Sequence, residues 1–481
     1  MNKEQPASIL WHDFETWGVN PSVDFPVQFA AVRTDEHLNI LEDYVPINWM
    51  CTIPHDYLPH PQACMITGIS PSLSVHKGLS EPLFAQRIYE QMSKHNTCVA
   101  GYNSMRFDEE VTRHLFYRNL FPVYEREYKH NNSRWDIIDL VRAAYALRPE
   151  GINWPLYEDG KPCFKLDRLT VENNISHESA HDALSDVYAT IAIAKLVKQH
   201  QPKLFDYFWQ LRRKQKVEQL LAQFQSTLLV HISSFISAEN GCCAIVMPIC
   251  RHPNNNNAII CIDVNSNIEM LRNTDSEQLK TLIYTKASAQ SKPIFFTIAT
   301  NKCPFIAPLN TLSAERAQQL SIDINAAKAN YQKLKVDSSL INLVSEAFTQ
   351  QHNNSNITNI DDALYATEFP QPADMQLMEK VRLSEPEQLV VYQGAFNDNA
   401  INQRLFRYRA RNFTQTLEEH ELHAWQRHLQ DRFTLDHKKE CLSLREYFGE
   451  VERLMAEHAN VPKTMQLLKS LQQYGQHISG A

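Results

Sequence analysis

Glycine is scarce in this sequence, with 11 residues among 481 positions. No G-x-G-x-x-G or P-loop pattern occurs, which excludes the glycine-rich loops that hold nucleotide phosphates. The ten cysteines are scattered and never take the C-x-x-C spacing of zinc or dithiol redox sites. We therefore expect most of the cysteines to be small, buried apolar residues.

Targeting features are also missing. Residues 1–8 carry no basic region followed by an apolar core, which argues against a secretory signal. No apolar run approaches the roughly 20 residues that a membrane-spanning helix needs. These observations predict a cytoplasmic protein with no membrane association. The net charge of −8 does not exclude a nucleic-acid ligand, because phosphate binding depends on local positive patches rather than on the total.

The length indicates about three domains of roughly 150 residues each. The apolar fraction of 43% is typical of folded proteins. Residues 1–201 combine strand-like segments at 8–13, 27–33, 39–47 and 97–102 with helical periodicity at 81–92, 107–120, 137–147 and 180–200. This order predicts a mixed α/β sheet covered by helices.

The pattern changes after residue 202. An amphipathic helix is predicted over 205–221, followed by strand-like runs at 228–232, 243–248, 258–264 and 293–299. This part is interpreted as a small barrel or a compact β-rich domain. The polar segment 350–359 is typical of a linker, and the rest of the chain is rich in helix formers. We therefore predict three domains with bounds 1–201, 202–350 and 360–481.

Five residues carry the chemistry that the sequence suggests. Asp13 and Glu15 stand two apart at the end of a predicted strand, so both carboxylates project from the same face. Oxygen ligands of this kind suit Mg²⁺ or Mn²⁺. Asp108 is expected at the beginning of a helix, and His181 and Asp186 lie five apart at the start of the long helix. Because five helical residues span about 140°, His181 fits best on the first turn or just before it.

This ordered set resembles that of the DEDDh exonuclease superfamily, in its histidine branch. Longer motifs resemble the bacterial exodeoxyribonuclease I family over essentially the full chain: HDFETWG at 12–18, PVQFAAVRTD at 26–35, ITGI at 66–69, FYRN at 116–119, NSRWD at 132–136, ALRPEGINW at 146–154, AHDA at 180–183, DVYATIA at 186–192, NKCP at 301–304 and YRARNF at 408–413. The resemblance implies a ribonuclease H-like DEDDh exonuclease domain, an SH3-like β-barrel and an all-helical C-terminal domain, closing around single-stranded DNA.

The resemblance also implies a mechanism of two-metal hydrolysis acting 3′→5′ on DNA. Asp13, Glu15 and Asp186 are expected to bind two Mg²⁺ ions, with Mn²⁺ as a possible substitute, and Asp108 to hold one ion through water. His181 is expected to be the general base, because imidazole can accept a proton near neutral pH.

Single-stranded DNA needs cations for its phosphates and flat surfaces for its bases. The candidate contacts are Glu15, Arg113, Tyr124, Tyr128, Arg142, Lys165, Lys214, Arg409 and Arg411. Lys214 belongs to a cationic cluster at 212–216, while Arg409 and Arg411 belong to a run at 404–413 that alternates cations with aromatic residues. Lys165 stands where the family usually has arginine, so we expect a point charge there and not a bidentate contact.

The family also binds the acidic, apolar-ended tail of single-stranded DNA-binding protein, and Arg148 and Tyr207 are chemically suited to such a pocket. A closed clamp has no need of a second copy, so a monomer is expected. Two alternatives stay open. The chain could be an RNA exonuclease of the same superfamily, or a catalytically dead single-strand-binding protein.

Overall fold

The computed structural model describes residues 6–177, 182–284, 293–335, 337, 339–349, 359–434 and 441–480. His181 and most of the predicted linker, 350–358, therefore lie outside the described residues.

The N-terminal α/β unit contains β1 (Ser8–Thr16), β2 (Pro26–Thr34), β3 (Ile47–Met50), α1 (Pro61–Thr67), α2 (Pro71–Lys77), α3 (Glu81–Met92), β4 (Thr97–Gly101), α4 (Asp108–Arg118), β5 (Ser133–Asp136), α5 (Ile137–Leu147), α6 (Leu166–Glu172) and α7 (Ala183–His200).

The sheet of this unit has the order β3-β2-β1-β4-β5. Strand β1 is central, pairing antiparallel with β2 and parallel with β4. Its side chains alternate between two cores: Ile9 and Trp11 enter the core that also contains α7, whereas Leu10 and Phe14 enter the opposite core with α3 and α4. The odd-numbered positions of β1 thus face α7.

Two of the predicted elements differ from the structure. The strand predicted at 39–47 is wrong, because β3 begins at Ile47 and the preceding residues turn around Asp35, whose carboxylate accepts from the N–H groups of His37 and Asn39. The single helix predicted at 205–221 is two helices. The chain is extended at Arg213, whose guanidinium donates to the carbonyl of Asn131 at 3.1 Å.

The middle unit is β-rich, as predicted. It contains α8 (Pro202–Leu211), α9 (Lys214–Leu221), β6 (Leu229–Ile232), β7 (Cys243–His252), β8 (Asn255–Asp263), α10 (Ser276–Tyr284), β9 (Phe295–Ala299), β10 (Phe305–Pro308), α11 (Ala314–Gln319), α12 (Ile324–Leu334) and α13 (Ser339–Phe348). Its sheet is antiparallel, in the order β10-β6-β7-β8-β9. Phe205 and Phe208 of α8 pack on Trp135 of β5, so the first two units share one continuous hydrophobic core.

The described part of the C-terminal unit is helical, with α14 (Pro372–Leu383), α15 (Asn399–Asn412), α16 (Glu419–Thr434), α17 (Leu444–Glu457) and α18 (Pro462–Ser479). It contacts the N-terminal unit at two separate places. Tyr447 and Leu468 pack with Trp17, while Leu405 and its neighbours pack around Leu120. No helix in the described ranges combines the length and apolar character needed to cross a bilayer.

A buried ion-pair network joins these two units. Arg411 of α15 lies 2.6 Å from the carboxylates of both Asp56 and Asp361, and all three side chains are almost fully buried. Burial opposes the ionisation of Asp56, but the guanidinium of Arg411 outweighs it and holds the pKa of that carboxyl well below its ordinary value. The C-terminal unit is therefore anchored by charges that water does not screen.

Replacing Asp56 with alanine is expected to lower the free energy of unfolding by about 3–5 kcal/mol, because Arg411 loses a buried counter-ion. Urea unfolding followed by circular dichroism measures this change. The matched control is Glu457→Ala, which breaks an ion pair with Arg453 whose two side chains are 51% and 44% exposed. That variant should leave the free energy of unfolding nearly unchanged, because exposed ion pairs contribute little to stability. Equal losses in the two variants would contradict the proposed anchor.

Candidate active site

Three carboxylates converge where the end of β1 faces α7. Asp13, Glu15 and Asp186 each offer an oxygen, and these three atoms lie within 4.8 Å of one another. Asp13 and Glu15 share a face because they are two residues apart on a strand, and that face is the one directed toward α7. The juxtaposition of Asp13 and Glu15 is therefore a direct result of the alternation of side chains along β1.

The start of α7 fixes the third carboxylate. Asp182 is the N-cap, and its side chain accepts from the N–H of Ser185 at 3.4 Å. The same carboxylate accepts from Nε2 of Gln28 on β2 at 3.3 Å, which ties the helix start to the sheet. Asp186 then lies one turn further along the helix. His181 is outside the described residues, so its placement as the general base stays a prediction.

Asp108 is the first residue of α4, as the sequence predicted. Its side chain is 4% exposed, and Oδ1 accepts from the backbone N–H of Phe14 at 3.0 Å. Because Phe14 lies between Asp13 and Glu15 in β1, this hydrogen bond attaches the start of α4 to the strand next to both carboxylates. Asp108 is not part of the group of three within 4.8 Å, but its charge acts strongly on Asp13.

The electrostatics of the site oppose full ionisation. Burial, followed by the charge of Asp108, raises the pKa of Asp13 well above its ordinary value. Burial and the charge of Asp186 raise the pKa of Glu15 to about 8, and burial raises that of Asp108 to about 8. Carboxyl groups held this close favour either protons or a cation between them. The donor set, all oxygen, suits a hard divalent metal ion.

His177 is a neighbour of the site that the sequence analysis missed. Its Nε2 lies 2.5 Å from Oδ1 of Asp186, and its Nδ1 lies 3.1 Å from Oγ1 of Thr170 on α6. The sequence held a weak signal for it, since a second histidine four residues before His181 falls in the same segment preceding α7. It has no position in the recognised motif, so the motif could not identify it.

A large cleft of about 1370 Å³ is lined by all three units. Of the predicted DNA contacts, Arg113, Tyr124, Tyr128 and Lys214 line it. The guanidinium of Arg113 is held by Glu110 at 2.7 Å and Glu127 at 3.0 Å. Arg212 and Arg213 of the predicted cationic cluster line the cleft as well. The other cations and aromatic residues that line it had not been assigned to DNA: Arg134, Lys302, Tyr365 and Phe369.

Two further candidates, Lys165 and Arg142, do not line this cleft. Lys165 is exposed and is the residue immediately before α6. Arg142 is half-buried on α5, where it forms an ion pair with Asp139 at 2.7 Å. Their roles toward DNA stay predictions.

The structure corrects the assignment of Arg409 and Arg411. Arg409 is fully buried and forms a bidentate pair with Glu421 at 2.6 and 2.9 Å. Arg411 is held by Asp56 and Asp361 as described above. Neither guanidinium can reach a DNA strand in this conformation, because both are enclosed and saturated by carboxylates. The cationic and aromatic run on α15 is therefore internal and not a DNA-gripping surface.

Family models match almost the whole chain. Residues 10–194 match the family described as Exonuclease, residues 212–350 match the Exonuclease I SH3-like domain, and residues 358–478 match the Exonuclease I C-terminal domain. The three matches follow the order of the three units of the fold.

Two similar proteins are named exodeoxyribonuclease I. The chain is 41% identical to the protein of Haemophilus influenzae over 98% of this chain and 99% of that protein. It is 40% identical to the protein of Escherichia coli K12, with 99% of each covered.

Solved structures of E. coli exonuclease I, 40% identical, are similar over the full length. The complex with a dA16 oligonucleotide has a TM-score of 0.93 and covers 98% of this chain and 100% of that one. An ExoI/SSB-Ct complex has a TM-score of 0.91 with the same coverage, and a zinc-bound ExoI–ssDNA complex has a TM-score of 0.92 and covers 99% and 100%. With its carboxylate site and three matched domains, this chain belongs to the exodeoxyribonuclease I family.

Proposed function

We propose that this chain is an exodeoxyribonuclease that degrades single-stranded DNA processively from the 3′ end to 5′-mononucleotides, in DNA repair and recombination. The observation that carries the proposal is the convergence of Asp13, Glu15 and Asp186 within 4.8 Å. The relatives bear the name exodeoxyribonuclease I, and one solved relative is a complex with a dA16 oligonucleotide.

The carboxylates are suited to hold divalent cations, and we propose two Mg²⁺ ions, with Mn²⁺ as a possible substitute. The zinc-bound relative supports a divalent metal in this family without specifying magnesium. Bound ions of this kind would neutralise charge on the phosphate and lower the pKa of a bound water. Asp13, Glu15 and Asp186 are the proposed direct ligands, and Asp108 is proposed to act through water.

We propose that side chains around this site accept the proton of the attacking water and position the DNA. His181 is proposed to take the proton from the attacking water, because the imidazole of a histidine is a suitable base near neutral pH. Glu15 is proposed to contact the terminal nucleotide as well as the metal. Lys165 is proposed to place a positive charge near a phosphate, which is consistent with its exposure.

The large cleft is the proposed path of the strand. Six cationic side chains and two carboxylates line it, so it attracts phosphates despite the negative total charge of the chain. The ammonium group of Lys214 donates to Oδ1 of Asn257 at 2.7 Å. This hydrogen bond holds the positive charge of Lys214 on the wall formed by the middle unit. Tyr128, which is 64% exposed, is the proposed contact on the wall formed by the N-terminal unit. The guanidinium of Arg113 is buried and already paired with Glu110 and Glu127, so it does not reach the strand in this conformation. Because residues of the C-terminal unit also line the cleft, the strand would be enclosed, which favours processivity.

A second proposed ligand is the C-terminal tail of single-stranded DNA-binding protein. Arg148 donates to the carbonyl of Thr311 at 3.0 Å and Tyr207 donates to that of Ile306 at 2.7 Å, so both predicted residues lie along one segment. An open groove beside this segment is lined by Leu309, Leu312 and other residues. A basic residue near a groove that is lined in part by apolar side chains suits an acidic, apolar-ended peptide, and an ExoI/SSB-Ct complex exists for a relative.

Other features of the protein stay as proposals. The domain limits 1–201, 202–350 and 360–481 are retained. We also propose a monomer, since one copy supplies the carboxylates and a cleft lined by all three units. The cytoplasm is the proposed compartment, in keeping with nine buried cysteine thiols.

The two alternatives make different predictions for one assay. An end-labelled DNA oligonucleotide and its RNA equivalent are incubated separately with the protein and Mg²⁺. We expect release of 5′-mononucleotides from the 3′ end of the DNA, with far slower digestion of RNA and of blunt duplex DNA. EDTA should stop the reaction, because the carboxylates then lose their cations. Preferred digestion of RNA would support the RNA exonuclease, and binding without digestion would support the inactive protein.

Replacing a proposed metal ligand should separate catalysis from binding. Asp186→Asn is expected to reduce the rate of nucleotide release by more than about 100-fold, while the affinity for single-stranded DNA is retained. His181→Ala is expected to behave in the same way. The matched control is Asp206→Asn on α8, because the carboxylate of Asp206 is exposed. This control variant should digest DNA at the wild-type rate. Near-normal turnover in either site variant would remove that residue from the mechanism.

A further inference from the structure

The segment that precedes α7 places a histidine against one of the three converging carboxylates. Nε2 of His177 lies 2.5 Å from Oδ1 of Asp186, which is a short hydrogen-bonding distance. The side chain of His177 is 4% exposed and that of Asp186 is 17% exposed, so water competes little for this contact. The contact joins the segment before α7 to the first turn of the helix.

The other ring nitrogen of His177 is held by α6. Nδ1 lies 3.1 Å from Oγ1 of Thr170, and the hydroxyl of Thr170 donates to the carbonyl of Asp167 at 2.9 Å. Because the hydroxyl proton is directed at Asp167, the oxygen of Thr170 can accept a hydrogen bond from Nδ1. Thr170 is fully buried. The imidazole is therefore held from both sides, and it cannot turn without breaking one of these two hydrogen bonds.

The hydrogen bond from His177 supplies a restraint that the helix cap does not. The cap at Asp182 sets the backbone at the start of α7, but the χ2 torsion of an aspartate is broad, so the backbone alone does not fix the plane of the Asp186 carboxylate. A carboxylate has two oxygens, and one can bond to an imidazole while the other binds a cation. In metal sites, partners of this kind orient the ligands, and their loss typically costs about 10–100-fold in metal affinity or activity.

We propose that His177 is a positioning residue of the metal site: held by Thr170, it fixes the carboxylate of Asp186 in the orientation that a divalent cation requires. The inference rests on the proposed function, in which Asp186 is a direct metal ligand. The role differs from that of the general base, which is proposed for His181, because His177 acts on the metal ligand and not on the attacking water.

Binding of Mn²⁺ to the metal-free protein at a fixed pH tests the proposal without turnover, because the electron paramagnetic resonance signal of the free ion falls as the ion binds. In His177→Ala we expect the dissociation constant for Mn²⁺ to rise at least about ten-fold. The concentration of Mn²⁺ that gives half-maximal nucleotide release should rise by the same factor. His177→Gln can present an amide N–H to Asp186 and should recover part of the affinity.

Two further variants complete the test. Thr170→Val keeps the size of the side chain but removes the hydroxyl, so we expect a smaller loss of Mn²⁺ affinity in the same direction. The matched control is His37→Ala in the turn after β2, where the side chain is exposed. This control variant should bind Mn²⁺ as the wild-type chain does.

Unchanged affinity for Mn²⁺ in His177→Ala would overturn the proposal, and so would a loss that His177→Gln does not reduce. If His177→Ala does not fold, unchanged affinity in Thr170→Val would overturn it. All of these outcomes leave the proposed function intact, because the wild-type chain still binds the metal and digests single-stranded DNA. A wild-type chain that binds no Mn²⁺ and digests no DNA would instead overturn the proposed function, and the role of His177 with it.

Discussion

Mutual repulsion among closely placed, partly buried carboxylates is the constraint around which this structure is built. Asp13, Glu15 and Asp186 are brought within 4.8 Å, with Asp108 close enough to act on them. Burial strengthens the repulsion, because the surrounding protein screens charge less than water does. The fold must therefore keep together groups that repel each other, and a cation between them would offset that repulsion.

The rest of the architecture provides that restraint. The alternation of side chains along β1 commits two carboxylates to one face, and the cap of α7 by Asp182 sets the position of the third. The N–H of Phe14 holds Asp108 in place. Further out, Arg411 anchors the C-terminal unit to the N-terminal unit, so that aromatic residues of both reach the same cleft. The site and the enclosing cleft thus depend on a small number of buried polar contacts.

Sequence reasoning was strongest where function follows from local spacing. A spacing of two residues on a strand and a position at the start of a helix are both local features of the sequence. Asp13, Glu15 and Asp108 could therefore be placed from the sequence alone. Prediction from the sequence was weakest where a side chain contacts a residue that is distant in the sequence. Arg411 was interpreted as a DNA contact because Asp56, 355 positions away, could not be paired with it from the sequence. Phe369 was missed for the same reason, since only the packing of the C-terminal unit brings it to the cleft.

Calorimetric titration of the metal-free protein with Mg²⁺ at several pH values tests the central claim directly. Because the pKa values of Glu15 and Asp108 are about 8 without metal, these groups are largely protonated at pH 6 and must lose protons when the cation binds. The affinity for Mg²⁺ is expected to rise as the pH increases from 6 to 8. Binding is also expected to release protons, so the measured heat should vary with the ionisation enthalpy of the buffer. Binding of Mg²⁺ that is independent of pH and releases no protons would contradict it.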